Sequence, residues 1–307
     1  MSSVVEILRA RLARGSRAPH GDGARVALAV EGGAMRGVVS AGMVWGLEDL
    51  GLTAAFDAVF GSSAGAINAA YFLAGQAALG TTIYFEDINS RAFIDHWRPL
   101  RGLPIVDLSF VIDEVMTRRK PLDAARVLAS PSPLSVIATD VASGRSVALG
   151  GFTNAADLFS ALRAGATMPV VAGTPFTHRA ARYVDASLSE PIPVPTAEAA
   201  GCTHVLALLT RPGRMHARAS AFDRYFVGPR LRQWSPALAD QYLRRGDPYA
   251  ELLACIDAGT GPRGRASVLG LRVPELVVHK LERDAGRLRD GAARGRAAVI
   301  DAFGPRL

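Results

Sequence analysis

Apolar and polar positions along this chain fall into blocks that switch between short runs and longer helical stretches. Val26-Ala27-Leu28-Ala29-Val30 is an unbroken apolar run, which predicts a strand buried on both faces. A glycine-rich turn follows, and then the apolar stretch from Val38 to Leu50 predicts a helix stopped by Gly51. Ala58-Val59-Phe60 predicts a second short strand, with Ala66-Ile67-Asn68-Ala69-Ala70-Tyr71-Phe72-Leu73 as the next helix. Tyr183-Val184 is a short apolar approach to Asp185, and Val205-Leu206-Ala207-Leu208-Leu209 predicts another buried strand, with His204 at its start. Strands alternating with helices imply an α/β fold, a mainly parallel sheet flanked by helices on both faces. The pattern divides the chain into an N-terminal extension (1–24), a core (25–210) and a C-terminal, mostly helical extension (211–307) that opens at Arg211-Pro212-Gly213-Arg214.

Two strand-to-helix turns carry candidate chemistry. Gly61-Ser62-Ser63-Ala64-Gly65 is a Gly-x-Ser-x-Gly pentapeptide between a strand and a helix, the setting of a nucleophile elbow. Gly61 and Gly65 are the small neighbours that a sharp turn at Ser63 needs, and the helix N-terminus favours negative charge there. Without that context the pentapeptide is an ordinary tight turn. The other turn is Glu31-Gly32-Gly33-Ala34-Met35-Arg36-Gly37. Its N–H groups can face an anion, either a nucleotide phosphate or the oxyanion of an acyl intermediate. The spacing of Gly32, Gly33 and Gly37 matches neither phosphate-binding glycine motif, so an oxyanion hole with donors near Gly33 and Ala34 fits better. A loop that merely turns tightly is the plain alternative.

These turns, followed by Tyr183-Val184-Asp185-Ala186-Ser187, resemble the patatin-like phospholipase family from about Arg25 to Leu209. Val136 to Arg145 is similar to that family's central strand and turn, and Arg163-Ala164-Gly165-Ala166-Thr167-Met168-Pro169 to a further family segment. The tail around Lys280-Leu281-Glu282-Arg283-Asp284 is similar to a bacterial branch of the family. The resemblance implies a lipid acyl hydrolase that cleaves carboxylic esters through a Ser63–Asp185 dyad, with Asp185 within hydrogen-bond reach of Ser63 and no cofactor or metal. Arg36 is then a brace for its turn or a contact for a lipid phosphate. Ala34 stands where the family usually has a third Gly, and Ala186-Ser187 where it usually has Gly-Gly or Gly-Ala. If either position needs positive φ, its methyl group costs roughly 1 kcal/mol or more. A catalytically weak lipid- or membrane-binding protein is the alternative function.

The Gly-x-Ser-x-Gly motif also admits a Ser-His-Asp triad, for which His204, His216 and His279 follow Asp185 in the required order. Their settings favour structural or solvated roles, while His20, His96 and His178 precede Asp185, which breaks that order. No spacing of His or Cys suggests metal. Two cysteines, Cys202 and Cys255, give no disulfide framework and point to a reducing, cytoplasmic setting.

With 49% hydrophobic and 21% charged residues the composition supports a large core, while no apolar run approaches the roughly 18 residues of a membrane span. Met1 to Ala18 lacks the continuous apolar core of a signal peptide and reads as a basic, partly helical arm, solvated or laid on anionic lipid. The net charge of +7 draws the protein toward anionic membrane surfaces at the periphery. Nucleic acid is not an expected partner, because no zinc module or RNP-like aromatic motif accompanies the charge. Ile83 to Lys120, with Phe85, Phe93, Trp97 and Phe110, is either an acyl-binding wall or plain core. Phe222, Tyr225, Phe226, Leu231 and Trp234 recur at loosely helical spacing, as residues packing across the mouth of a cleft would.

Overall fold

In the computed structural model, which describes residues 3–213, 219–275 and 277–304, the strands are β1 (Val26–Val30), β2 (Ala58–Ser62), β3 (Leu134–Asp140), β4 (Ser146–Leu149), β5 (Phe176–His178), β6 (Ala181–Asp185), β7 (His204–Leu209) and β8 (Ser267–Arg272). They form one sheet in the order β5-β6-β3-β2-β1-β7-β8, with β4 paired to β3 off this path. The pairs β3-β2, β2-β1, β1-β7 and β7-β8 are parallel, while β4, β5 and β6 run antiparallel to their neighbours. The sheet is therefore mixed and mostly parallel.

All five residues of β1 are buried, and their alternation sends them into two layers. Val26, Leu28 and Val30 join the larger apolar cluster on one face, and Ala27 and Ala29 the cluster on the other. The N-terminal helices are α1 (Val4–Ala13), α2 (Gly37–Asp49), α3 (Ala64–Leu73), α4 (Ala77–Glu86), α5 (Ala124–Leu128) and α6 (Ala155–Ala166). Later come α7 (Val194–Ala199), α8 (Gly228–Arg232), α9 (Pro236–Arg244), α10 (Gly246–Asp257) and α11 (Ala285–Phe303). Residues of α2, α3, α4, α6 and α11 pack on the Leu28 face, and those of α7 and α10 on the Ala27 face. Helices thus cover both faces, as parallel strands without a wet side require.

The predicted helix over 38–50 is α2, ended at Gly51 with φ 78°. Two expectations change. The N-terminal arm is docked rather than solvated, since Val4 and Leu8 enter the core and Arg11 is fully buried. Its guanidinium donates to Asp22, Asp57 and the carbonyls of Ala24 and Ala55 at 2.7–2.9 Å, which makes burial of the charge tolerable. The C-terminal region is not only helical. Its strand β8 pairs with β7 over six residues, and α11 packs against α2 so closely that a Cβ on Gly295 would lie 2.1 Å from the Val39 carbonyl oxygen.

Candidate active site

The sharp turn at Ser63 follows from what surrounds it. Ser63 caps α3 with φ 54° and ψ −130°, a conformation that costs a residue with a Cβ about 1–3 kcal/mol. Its glycine neighbours are demanded by packing. A Cβ on Gly61 would sit 2.4 Å from Ala66 Cα, and one on Gly65 2.4 Å from the Val30 carbonyl oxygen. The spacing thus lets the start of α3 fold back onto β2 and β1, leaving the hydroxyl at the helix N-terminus.

Asp185 comes to Ser63 through strand register. Ser62 faces Ile137 and Asp185 faces Ala138, adjacent positions on β3. Ser63 Oγ donates to Asp185 Oδ2 at 2.5 Å, and Ser187 N–H donates to Oδ1 at 2.7 Å. The backbone of Asp185 is held as firmly, its N–H bonded to the Thr167 carbonyl and its own carbonyl to Thr139 Oγ1, both at 2.9 Å. Burial raises the Asp185 pKa above the usual carboxylate range, opposed by the hydrogen bonds from Ser187 and Ser63 and by the charge of Lys280. A carboxylate made more basic in this way is better suited to accept a hydroxyl proton.

The glycine turn lies beside this pair, and its N–H groups can be accounted for one by one. Met35 N–H donates to the Lys280 carbonyl, Arg36 N–H to that of Gly33, and Gly37 N–H to those of Ala34 and Met35. Among the described residues this leaves the N–H groups of Gly32, Gly33 and Ala34 without a protein acceptor, so the candidate oxyanion donors narrow from the whole turn to these three. Gly32 is tied down by its carbonyl, which accepts from Thr210 Oγ1 at 2.8 Å. Arg36 contributes a buried side chain rather than an N–H. Asn68 on α3 fixes the turn against the elbow, donating to the Gly37 carbonyl at 2.8 Å and to Ser40 Oγ at 3.1 Å while accepting from Tyr84 Oη at 3.0 Å.

The two departures from the family pattern differ in consequence. Ala34 has φ 53°, so its methyl group carries the cost of a left-handed backbone. Ala186 starts a short 3-10 helix and is not among the residues with positive φ, so a side chain is accommodated there without strain.

Ser63, Asp185, Gly32, Gly33, Ala34 and Arg36 line a cleft of about 340 Å³ whose wall is mainly apolar, including Ile83, Phe93, Val106, Val111 and Val170. Of the aromatic residues in the 83–120 stretch, Tyr84 and Phe93 line the cleft, Phe85 and Phe110 pack against the core, and Trp97 is 64% exposed. Phe222 stands at the mouth, whereas Tyr225 and Phe226 point outward at 76% and 68% exposure and Leu231 is core. Gly37, Gly61 and Gly65 support the turns from behind rather than lining the cleft.

No described histidine lines the cleft. His204 starts β7, whose C-terminal end lies on the Ser63 side of the sheet, and His178 bonds to Ser160. His20 bonds to Ser16, His96 and His279 are exposed, and His216 lies outside the described residues. Among the described residues no group of three or more His, Cys, Asp or Glu side chains could hold a metal ion, and Cys202 and Cys255 are unpaired.

Several positioning residues had no sequence signal of their own. Asn68 reads as one polar residue in an apolar helix, and Thr139 as one hydroxyl in a strand. Glu31 is 1% exposed and accepts from Thr210 N–H at 2.6 Å and Tyr249 Oη at 2.9 Å, partners far along the chain.

The chain is 27% identical over 209 residues, 65% of its length, to the uncharacterized protein YjjU of Escherichia coli (strain K12). The match spans 56% of that relative. Residues 28–198 match the patatin-like phospholipase family, a range that holds both turns, the elbow and Asp185 and covers more than half of the chain. The chain belongs to the patatin-like phospholipase family.

Proposed function

We propose that the protein is a serine-dependent lipid acyl hydrolase of the phospholipase A, lysophospholipase or esterase type. The observation that carries this reading is the hydrogen bond of 2.5 Å from Ser63 Oγ to the buried Asp185 carboxylate, on the floor of a largely apolar cleft. Ser63 Oγ attacks the ester carbonyl carbon as Asp185 takes its proton. The negative oxygen of the tetrahedral intermediate is stabilised by donors among the N–H groups of Gly32, Gly33 and Ala34 and by the N-terminus of α3, each donor contributing roughly 3–4 kcal/mol. The intermediate collapses with cleavage of the bond to the alcohol, which leaves with the proton from Asp185. Asp185 then deprotonates water, which attacks the acyl-enzyme and releases the fatty acid, and Ser63 regains its proton.

Contact with a lipid surface fits the rim of the cleft. Phe222 and Val170 both line the cleft and are 61% and 42% exposed, and Phe222 stacks on Phe226 with ring centroids 5.3 Å apart. Exposed aromatic groups at an opening insert among headgroups and bring the ester to Ser63.

Release of p-nitrophenol from short- and medium-chain esters by wild type, Ser63→Ala and Asp185→Asn, with fluorophosphonate labelling, tests the reading. Turnover lost in both variants, and label carried only where Ser63 is present, is the expected result. A folded wild type that binds lipid with neither turnover nor label would establish the weak, lipid-binding alternative, toward which the strain at Ala34 points.

A further inference from the structure

Three cations converge on the cleft beside Ser63, and two of them, Arg211 and Lys280, come from outside the family-matched residues 28–198. Arg36 is only 5% exposed, yet its Nε and Nη2 have no hydrogen-bond partner among the described residues. Arg211 lies over the Tyr249 ring, 4.3 Å from its centroid, and its Nε stands 3.6 Å from Glu31, too far for a hydrogen bond. Lys280 is anchored by its carbonyl to Met35 N–H at 3.2 Å, so the backbone of the glycine turn sets its place at the rim. Its ammonium makes no ion pair among the described residues.

The local carboxylates offset this charge only in part, since Glu31 lies in ion-pair range of Arg211 and acts on Arg36, and Asp185 acts on Lys280, two acids against three cations. Glu31 already accepts from Thr210 and Tyr249, and Asp185 from Ser63 and Ser187. Asp223, the other carboxylate lining the cleft, is engaged by Ser220, Tyr242 and Arg245. Lys280 opens onto the cleft, but surrounding protein first, and then Arg36, Arg211 and Arg245, push its pKa down to about 8. Arg36, buried with two nitrogens unpartnered, is the costly member of the three, and a cleft that sets it beside the half-buried Arg211 and the exposed Lys280 is completed by a ligand anion. A carboxylate offers two oxygens, whereas a phosphate offers three and suits guanidinium and ammonium donors together.

We propose that Arg36, Arg211 and Lys280 form a subsite for a phosphate group without a cationic substituent, which selects anionic glycerophospholipids, above all phosphomonoester lipids, as the substrates of the cleft. The proposal rests on the acyl hydrolase reading and names its substrate class. A choline or ethanolamine headgroup would bring its ammonium among three cations that Glu31 and Asp185 only partly offset. Free phosphate has the same chemistry and is the other source of such a group.

The full-length Ser63→Ala chain, titrated calorimetrically with inorganic phosphate and with submicellar lysophosphatidic acid and lysophosphatidylcholine of one acyl chain, tests this without turnover. Lysophosphatidic acid is expected to bind at least about tenfold more tightly than lysophosphatidylcholine, a difference of about 1.4 kcal/mol. The preference should largely vanish when Lys280→Met or Arg211→Met is added and persist with Lys280→Arg, which also guards against mere misfolding. Phosphate binding that depends on the same side chains, with no discrimination between the lipids, supports the subsite with free phosphate as its occupant. Equal binding of both lipids without phosphate binding, or a preference that survives both methionine substitutions, overturns the proposal. If the preference stands but wild type takes no fluorophosphonate label, the hydrolase reading alone fails.

Discussion

At the scale of single residues, the cleft keeps two groups in states that folding alone disfavours. Ser63 holds a strained backbone, and Asp185 is an almost fully buried carboxylate whose pKa is raised by desolvation. For such a group the contribution to stability is fully present below the unfolded pKa, about 3.9, and is lost as pH rises through the higher folded value. Ionised Asp185 is therefore a net cost near neutrality. In Asp185→Asn the amide oxygen can accept from Ser187 N–H and the amide nitrogen can donate to Ser63 Oγ. Thermal melting at pH 7 should show that variant at least as stable as wild type, while esterase turnover falls by roughly 10²–10⁴-fold. In wild type, the proposed mechanism needs the ionised form, so the acid limb of kcat/KM should lie above the ordinary Asp range. A limb at or below pH 4 would contradict this account.

At the scale of elements, close approaches of backbone decide more than side-chain size. α3 can fold back on β1 and β2 because Gly61 and Gly65 lack side chains, and α2 meets α11 through Gly42 and Gly295. A Cβ on Gly42 would lie 2.0 Å from the Ala292 carbonyl oxygen. Backbone contacts of this kind yield only by moving a helix, so Gly295→Ala should destabilise the fold by roughly 1–3 kcal/mol or more, read from urea unfolding. Since the segment before α11 carries Lys280, whose carbonyl holds Met35 N–H, the same variant should also lower esterase activity. Unchanged stability would mean that α11 is not docked as described. The N-terminal helix illustrates the converse. Its arginine-rich sequence suggests a solvated arm, but Arg11 finds two carboxylates and two carbonyls in the core, and packing overrides local polarity.

At the scale of the whole molecule, a net charge of +7 and an exposed aromatic rim around the cleft make adsorption to anionic lipid the expected behaviour. No helix among the described residues is long and apolar enough to cross a membrane. Co-sedimentation with phosphatidylglycerol vesicles should weaken as salt rises from about 0.05 to 0.5 M, as the Debye length shortens. Tyr225→Ser with Phe226→Ser should reduce it further, and binding indifferent to both salt and these substitutions would exclude the rim. The chain's own order of apolar runs and turn residues determined the α/β class, the strands at Val26 and Ala58, the helices after them and the two turns that carry Ser63 and the glycines, because those signals are local periodicity and steric need. Asp185 was legible only through resemblance, since 122 residues separate it from Ser63 and nothing local marks its partner. Strand register brought the two together, and tertiary packing alone decided that Asn68 braces the glycine turn, that Arg36 and Gly37 have no N–H to offer, and that Lys280 reaches the cleft. Hydrogen bonds and burial between distant segments depend on which surfaces the whole chain buries, and that is settled only when the sheet and its helices close around one another.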